Sequence, residues 1–212
     1  MKVLILGHLG RMGKRYGAIL TRMGVKWDGI DLPDHGIPID QHDHLEDYAR
    51  IIIATPTRTH KELIVKCLDK STSLILCEKP LCGNSKDTEE ISRLSKSDRV
   101  FVVCNWAYVL PWELGPEKQD VVYGNWHTGN DGVSWDCCQL HYLSKDKDGA
   151  IICDDMLFCA FIDGFPISLT DIDRSYIAMM LEFINDGYVR WGIHDAVKME
   201  QKVERIICQK RS

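Results

Sequence analysis

No apolar run in this chain approaches the roughly 20 residues that cross a bilayer, so no membrane span is expected. The opening Met1-Lys2-Val3-Leu4 leads straight into a strand pattern and not into a signal peptide, which makes the cytoplasm the expected compartment. There is no CxxC pair. The nine cysteines, an odd number, are scattered at Cys67, Cys77, Cys82, Cys104, Cys137, Cys138, Cys153, Cys159 and Cys208, mostly inside apolar runs. They read as reduced core residues, against a disulfide frame or a zinc site. A basic block is missing too, and with a net charge of -5 this argues against nucleic acid as a partner. Internal repeats and low-complexity tracts are absent. What remains is a 212-residue chain with 45% hydrophobic residues, enough for a real core in one large domain or two small ones.

The first half alternates strand and helix patterns. Lys2 to Leu6 is a buried strand meeting Gly7, and Gly10 and Gly13 follow at three-residue intervals within GHLGRMG. A helix is expected over residues 11–23, with Met12, Tyr16, Ile19, Leu20 and Met23 on one face and Gly24 as its stop. The turn residues Gly7, His8, Leu9, Gly10, Arg11 and Met12 could cradle a dinucleotide pyrophosphate, because helix N-termini expose backbone N–H groups and a positive dipole end. A purely structural strand-to-helix turn is the alternative. The next strand ends at Asp31, 24 residues beyond Gly7, near where an acid binds the adenosine ribose hydroxyls. A carboxylate there repels a 2′-phosphate, and Leu32-Pro33-Asp34-His35 offers no Arg, so NAD is preferred over NADP. His35, His42 and His44 lie in a polar loop and read as solvated, a metal being the alternative; no metal site is expected.

Ile51-Ile52-Ile53-Ala54 is a buried strand that breaks at Thr55-Pro56, and a helix follows in which Thr59 and Glu62 have capping-box spacing. A strand over 73–77 runs into Glu78-Lys79-Pro80-Leu81, a helix starts at Asn84 or Ser85, and a strand over 100–104 ends at Asn105. Such alternation predicts a parallel, doubly wound sheet.

The glycines from Gly7 to Gly13, Asp31, Ala54-Thr55-Pro56 with His60, and Cys77-Glu78-Lys79-Pro80-Leu81 together resemble the Gfo/Idh/MocA family of nicotinamide-dependent sugar and inositol oxidoreductases. The resemblance covers roughly the first half of the chain. It implies that Ala54, Thr55, Pro56 and His60 line the cofactor cleft, that Glu78 contacts the nicotinamide side, that the Lys79-Pro80 bond is cis, and that Asn105 lies near the nicotinamide. It also implies a Rossmann-type domain over 1–106, then an α+β domain with a mainly antiparallel sheet over 107–212, shortened relative to the family's, that covers the nicotinamide and often forms the dimer contact.

In the second half, strands are expected over 120–126, 150–153 and 157–169, with residues 139–143 ambiguous between strand and helix. The polar run 145–149 ends in Asp-Gly, a hairpin tip. Two helices close the pattern, over 173–185 with Ile177, Met180, Leu181 and Ile184 as a face, and over 195–208 with Val197, Val203, Ile206 and Ile207. The family's DxxxH helix motif has its counterpart in Asp136 and His141, but these stand five positions apart and would point about 140° away from each other on a helix. The resemblance implies an NAD-dependent enzyme, homo-oligomeric in the family's manner, acting on a polyol or sugar with Lys79, His141 and Asp136 as catalytic candidates. A regulator or sensor that keeps the nucleotide and has lost the chemistry is the alternative, and a nucleotide-binding scaffold is a third.

Overall fold

The computed structural model describes residues 1–31, 44–94, 98–109, 121–124, 151–154, 160–162 and 165–211. Five strands form the first sheet: β1 (Lys2–Leu6), β2 (Lys26–Ile30), β3 (Arg50–Ile53), β4 (Leu74–Cys77) and β5 (Val100–Val102). Their order is β2-β1-β3-β4-β5, and every pairing is parallel. Val3 to Leu6, Ile51 to Ile53 and Ile75 to Cys77 are all fully buried. Strands covered on both faces read as continuous apolar runs, which is why the sequence marks them so clearly.

Three helices connect these strands: α1 (Arg11–Arg22), α2 (His60–Lys70) and α3 (Ser85–Leu94). The chain leaves β1 toward β2 in one direction and β3 toward β4 in the other. With right-handed crossovers, α1 and α2 therefore cover opposite faces. Helix α1 ends as its glycine indicates. Gly24 takes φ 70°, its N–H bonds the Thr21 carbonyl at 3.1 Å, and the Val25 N–H reaches back to Leu20 at 3.0 Å.

The Thr59/Glu62 capping box does not form. The Thr59 hydroxyl turns back to the Pro56 carbonyl and to Thr55 Oγ1, both at 2.8 Å, because a short 3-10 turn over Thr57–Thr59 precedes the helix. Glu62 instead pairs with Lys66 one turn on, at 2.8 Å. The cap appears one helix later. Asn84 Oδ1 accepts the Asp87 N–H at 2.9 Å, and the Asn84 amide donates to Asp87 Oδ2 at 2.8 Å. Lys61 of α2 then holds Asp87 at 2.6 Å and Glu90 at 2.8 Å, which raises the Lys61 pKa and lowers that of Asp87.

By its contacts the chain forms two compact units. The first comprises residues 1–103 with 180–197, the second residues 104–179 with 198–212. Residues 180–197, which the sequence pattern groups with the second domain, thus cluster with the first sheet. The Trp191 carbonyl accepts the Val102 N–H at 3.2 Å, Phe101 bridges Gly192, and Arg50 Nε donates to the Phe183 carbonyl at 3.0 Å. Gly187 at φ 67° leaves room for Arg50, whose guanidinium a Cβ would approach to 2.9 Å. Local sequence carries no signal for such distant pairings.

In the second unit, β6 (Val121–Gly124), β7 (Ile151–Asp154), β8 (Ala160–Ile162) and β9 (Phe165–Ile167) make a sheet of order β7-β6-β8-β9. β6 pairs with β7 in parallel, and the other two pairings are antiparallel. The last two helices are α4 (Leu169–Asn185) and α5 (Ile193–Arg211). On α4 the buried stripe is Tyr176, Met179, Met180, Phe183 and Ile184, while the expected Ile177 and Leu181 are 37% and 41% exposed. Met180 and Ile184 are thus buried as expected, while Tyr176 and Phe183, whose aromatic rings carry more apolar area, take the buried places in preference to Ile177 and Leu181. On α5, Val203 is buried as expected, together with Ile193, Ala196 and Met199. No helix among the described residues is long and apolar enough to cross a membrane.

Candidate functional site

Each strand of the parallel sheet hands its next residue to a neighbour. The Gly7 N–H bonds Ile30 at 2.7 Å, the Ala54 N–H bonds Leu6 at 2.8 Å, the Glu78 N–H bonds Ile53 at 2.8 Å, and the Val103 N–H bonds Cys77 at 2.8 Å. The ladder is thereby extended one step past the strands, and Asp31, Gly7, Ala54 and Glu78 stand in a row along the carboxyl edge. The strand order reverses at β1 and β3, and in open α/β sheets ligands bind outside the carboxyl ends at such a switch point.

Gly7 sits at φ 87°, and a Cβ there would lie 2.8 Å from the Ala54 carbonyl oxygen. Both facts demand glycine. A Cβ on Gly13 would come within 2.1 Å of the Gly7 carbonyl oxygen and 2.6 Å of His8 Cα, so helix α1 lies directly against the turn. Gly10 is different, since its nearest neighbour would be the Gly7 carbonyl oxygen at 3.3 Å. It is the N-cap of α1, which opens with no acidic residue in its first turn and no side-chain cap. Arg11 is exposed and Met12 half-buried at that helix start.

Asp31 folds back onto the turn, where its Oδ2 accepts the Leu9 N–H and lies 3.9 Å from His8 Nδ1. The His8 ring covers Gly29, whose Cβ would meet it at 2.3 Å. The carboxylate at the end of β2 is thus held beside the glycine turn by the backbone of that turn. Leu9 itself is 59% exposed.

Across the switch point, Thr55 is buried, Pro56 is exposed, and His60 is 1% exposed. His60 Nε2 lies 2.7 Å from the Thr55 carbonyl oxygen, and Nδ1 lies 3.1 and 3.0 Å from those of Pro80 and Leu81. The ring braces the loop after β3 against the loop after β4. Replacing it with alanine leaves buried carbonyls without that partner, so His60→Ala is expected to cost about 2–4 kcal/mol. A urea melt checks this as a lower midpoint at unchanged slope.

Glu78 is 8% exposed. Its Oε1 accepts the hydroxyl hydrogen of the fully buried Tyr16, and its Oε2 accepts the Lys79 N–H at 3.1 Å. Lys79 is half-buried, and the Lys79–Pro80 peptide is cis. From the sequence, Tyr16 is expected only on the apolar face of α1. A usable signal was there, because a buried tyrosine needs a partner for its hydroxyl.

In the second unit Asn105 opens a 3-10 turn over Asn105–Tyr108, is 2% exposed, and donates its amide to Ser175 Oγ at 3.4 Å. Asp136 and His141 lie outside the described residues, as do His35 and His42. His44 is exposed, 3.7 Å from Glu46. Cys67, Cys77 and Cys104 are buried and in no disulfide, and burial pushes the Cys67 thiol up to about 12.

Residues 35–105 match the Gfo/Idh/MocA family, described as "Oxidoreductase family, NAD-binding Rossmann fold". The match lies within the N-terminal half and covers about a third of the chain. The matched segment carries an NAD(P)-binding fold of an oxidoreductase family and includes Thr55, His60, Glu78 and Lys79; the glycine turn and Asp31 precede it. No curated protein matches the chain in sequence. Among solved structures, a myo-inositol dehydrogenase from Corynebacterium glutamicum aligns at TM-score 0.68 and 11% identity, over 95% of this chain and 93% of that one. The WlbA (WbpB) dehydrogenase from Thermus thermophilus, in complex with NAD and alpha-ketoglutarate, aligns at 0.66 and 15%, over 94% and 92%. Biliverdin reductase from Synechocystis sp. PCC 6803, with biliverdin and NADP+, aligns at 0.67 and 9%, over 98% of each chain. At these identities the likeness to a Gfo/Idh/MocA-type structure is one of fold.

Proposed function

We propose that this chain is an NAD-dependent oxidoreductase that moves a hydride to or from a secondary alcohol or ketone of a sugar, cyclitol or related polyol. The observation that carries the reading is the row along the carboxyl edge, in which an acid, a glycine turn, the Thr55-Pro56 loop and the Glu78-Lys79 pair follow the sheet order. A dinucleotide fits that donor set. The N–H groups at the start of α1, where Gly10 supplies no side-chain cap, suit a pyrophosphate, and Asp31 suits ribose hydroxyls. Strand spacing of about 4.8 Å puts β4 roughly 10 Å from β1, a span that carries the second nucleotide toward Glu78.

When bound, the nicotinamide supplies the hydride chemistry. The chain's own residues then hold the substrate and manage its proton. Lys79 would hold the reacting oxygen and favour its anionic form. His141 would exchange the proton, an imidazole being suited to that near neutral pH, and Asp136 would orient either group. Asn105 and His60 would support the nicotinamide side.

Asp31 favours NAD over NADP by charge repulsion of the 2′-phosphate. Titration followed by energy transfer from tryptophan to the reduced nicotinamide is expected to give at least about tenfold tighter binding of NADH than of NADPH. The Asp136 to His141 spacing favours a second reading, a regulator that binds NAD without turnover. Screening polyols and keto-sugars for absorbance change at the reduced nicotinamide band separates the two. A broad negative with NAD binding intact would favour the regulator. Self-association through the second domain belongs to the same family reading and is checked by light scattering.

A further inference from the structure

The glycine helix and the Glu78 strand end are joined by one side-chain bond. Tyr16 lies on α1, six residues after the Gly10 N-cap, and is fully buried; its hydroxyl donates to Glu78 Oε1. Helix α1 packs on β1 and β2, whereas Glu78 follows β4, two strands away from β1. The phenol therefore reaches across the sheet. On the other side, Glu78 Oε2 accepts the Lys79 N–H, and the Glu78 N–H is anchored on Ile53. The carboxylate is gripped at both oxygens, with backbone on one side and Tyr16 on the other.

Burying a carboxylate to 8% exposure is costly unless its oxygens are hydrogen-bonded. The Lys79 N–H holds one oxygen of the Glu78 carboxylate and leaves the other to be placed. The Tyr16 bond selects one orientation, and Tyr16 is itself fixed by complete burial on the helix whose N-terminus faces the switch point. A bond to a charged acceptor is stronger than one between neutral groups, so its loss should be readable in binding.

We propose that Tyr16 is a positioning residue that sets the Glu78 carboxylate for the nicotinamide half of the cofactor. The inference rests on the NAD-binding reading above. Its effect is confined to one end of the ligand, because the adenosine half is held by Asp31 and the turn.

Tyr16→Phe keeps the ring and its packing while deleting the bond. Titrations of NADH and of ADP-ribose, which lacks the nicotinamide, separate positioning from packing. For Tyr16→Phe the expected result is roughly tenfold weaker NADH binding, with ADP-ribose within about twofold of wild type. In a Glu78→Ala background the same substitution should change the NADH to ADP-ribose ratio by less than about twofold, since two residues acting as a unit are not additive. Equal losses for both ligands, or an unchanged ratio, would overturn the inference and leave Tyr16 as packing only. A full effect retained in the Glu78→Ala background would overturn it as well. Wild type that binds neither ligand would overturn the NAD reading and the inference with it. The wild-type titration thus tests the first and the variant ratio the second.

Discussion

Gly13→Ala is expected to unfold the first unit, or to lower its stability by about 3 kcal/mol or more, while Gly10→Ala leaves the fold intact. The two glycines look equivalent in the sequence GHLGRMG, but their surroundings differ. A methyl group on Gly13 would have to occupy space 2.1 Å from the Gly7 carbonyl oxygen and 2.8 Å from its carbon. Those atoms are backbone, and they belong to a turn whose Gly7 N–H is already tied to β2. The helix must therefore lift off the strand, breaking the seam between α1 and β1. At Gly10 the nearest atom would be 3.3 Å away, a distance that a shift of a few tenths of an ångström relieves. Thermal melts by circular dichroism would give the contrast directly. Equal stability of the Gly13 variant and wild type would refute the close helix approach. Gly10→Ala carries its cost elsewhere, since the added methyl intrudes where a phosphate would meet the helix N-terminus. Its NADH affinity should fall several-fold on a stable fold.

Lys79→Ala is expected to remove turnover, by at least about 100-fold, with NADH affinity within about twofold of wild type. The side chain lies just beyond β4, next to a glutamate already committed to Tyr16 and to the Lys79 N–H. In the proposed reaction the Lys79 ammonium is the charge that favours an alkoxide. Its backbone bond to Glu78 survives the substitution, so the cofactor side stays in place. The measurement is the absorbance of reduced nicotinamide with any substrate found in the polyol and keto-sugar screen. Turnover within about tenfold of wild type would remove Lys79 from the mechanism.

The row that makes the candidate site was legible because a parallel sheet puts functional residues right after its strands. Gly7 follows β1, Asp31 follows β2, Ala54-Thr55-Pro56 follows β3 and Glu78-Lys79 follows β4, so each could be read from a local break in an apolar run. Bonds that close over long distances had no such mark. Tyr16 to Glu78 spans 62 residues, and Arg50 to the Phe183 carbonyl spans 133. On α4 periodicity marks Met180 and Ile184 correctly and misses on Ile177 and Leu181, because spacing alone does not weigh them against Tyr176 and Phe183. Thr59 shows the same limit on a smaller scale. Its capping spacing was correct, yet the preceding 3-10 turn offered the hydroxyl nearer acceptors.

The pairing of Val102 with Trp191 and of Phe101 with Gly192 gives the first unit a history as well as a shape. As the ribosome delivers the chain, all five parallel strands emerge long before the segment that lies along β5. Until residue 197 is available, β5 is an open border with unsatisfied backbone groups, able to recruit a strand from another nascent chain. A fragment ending near residue 106 would carry the whole row along the carboxyl edge and still keep that border permanently open.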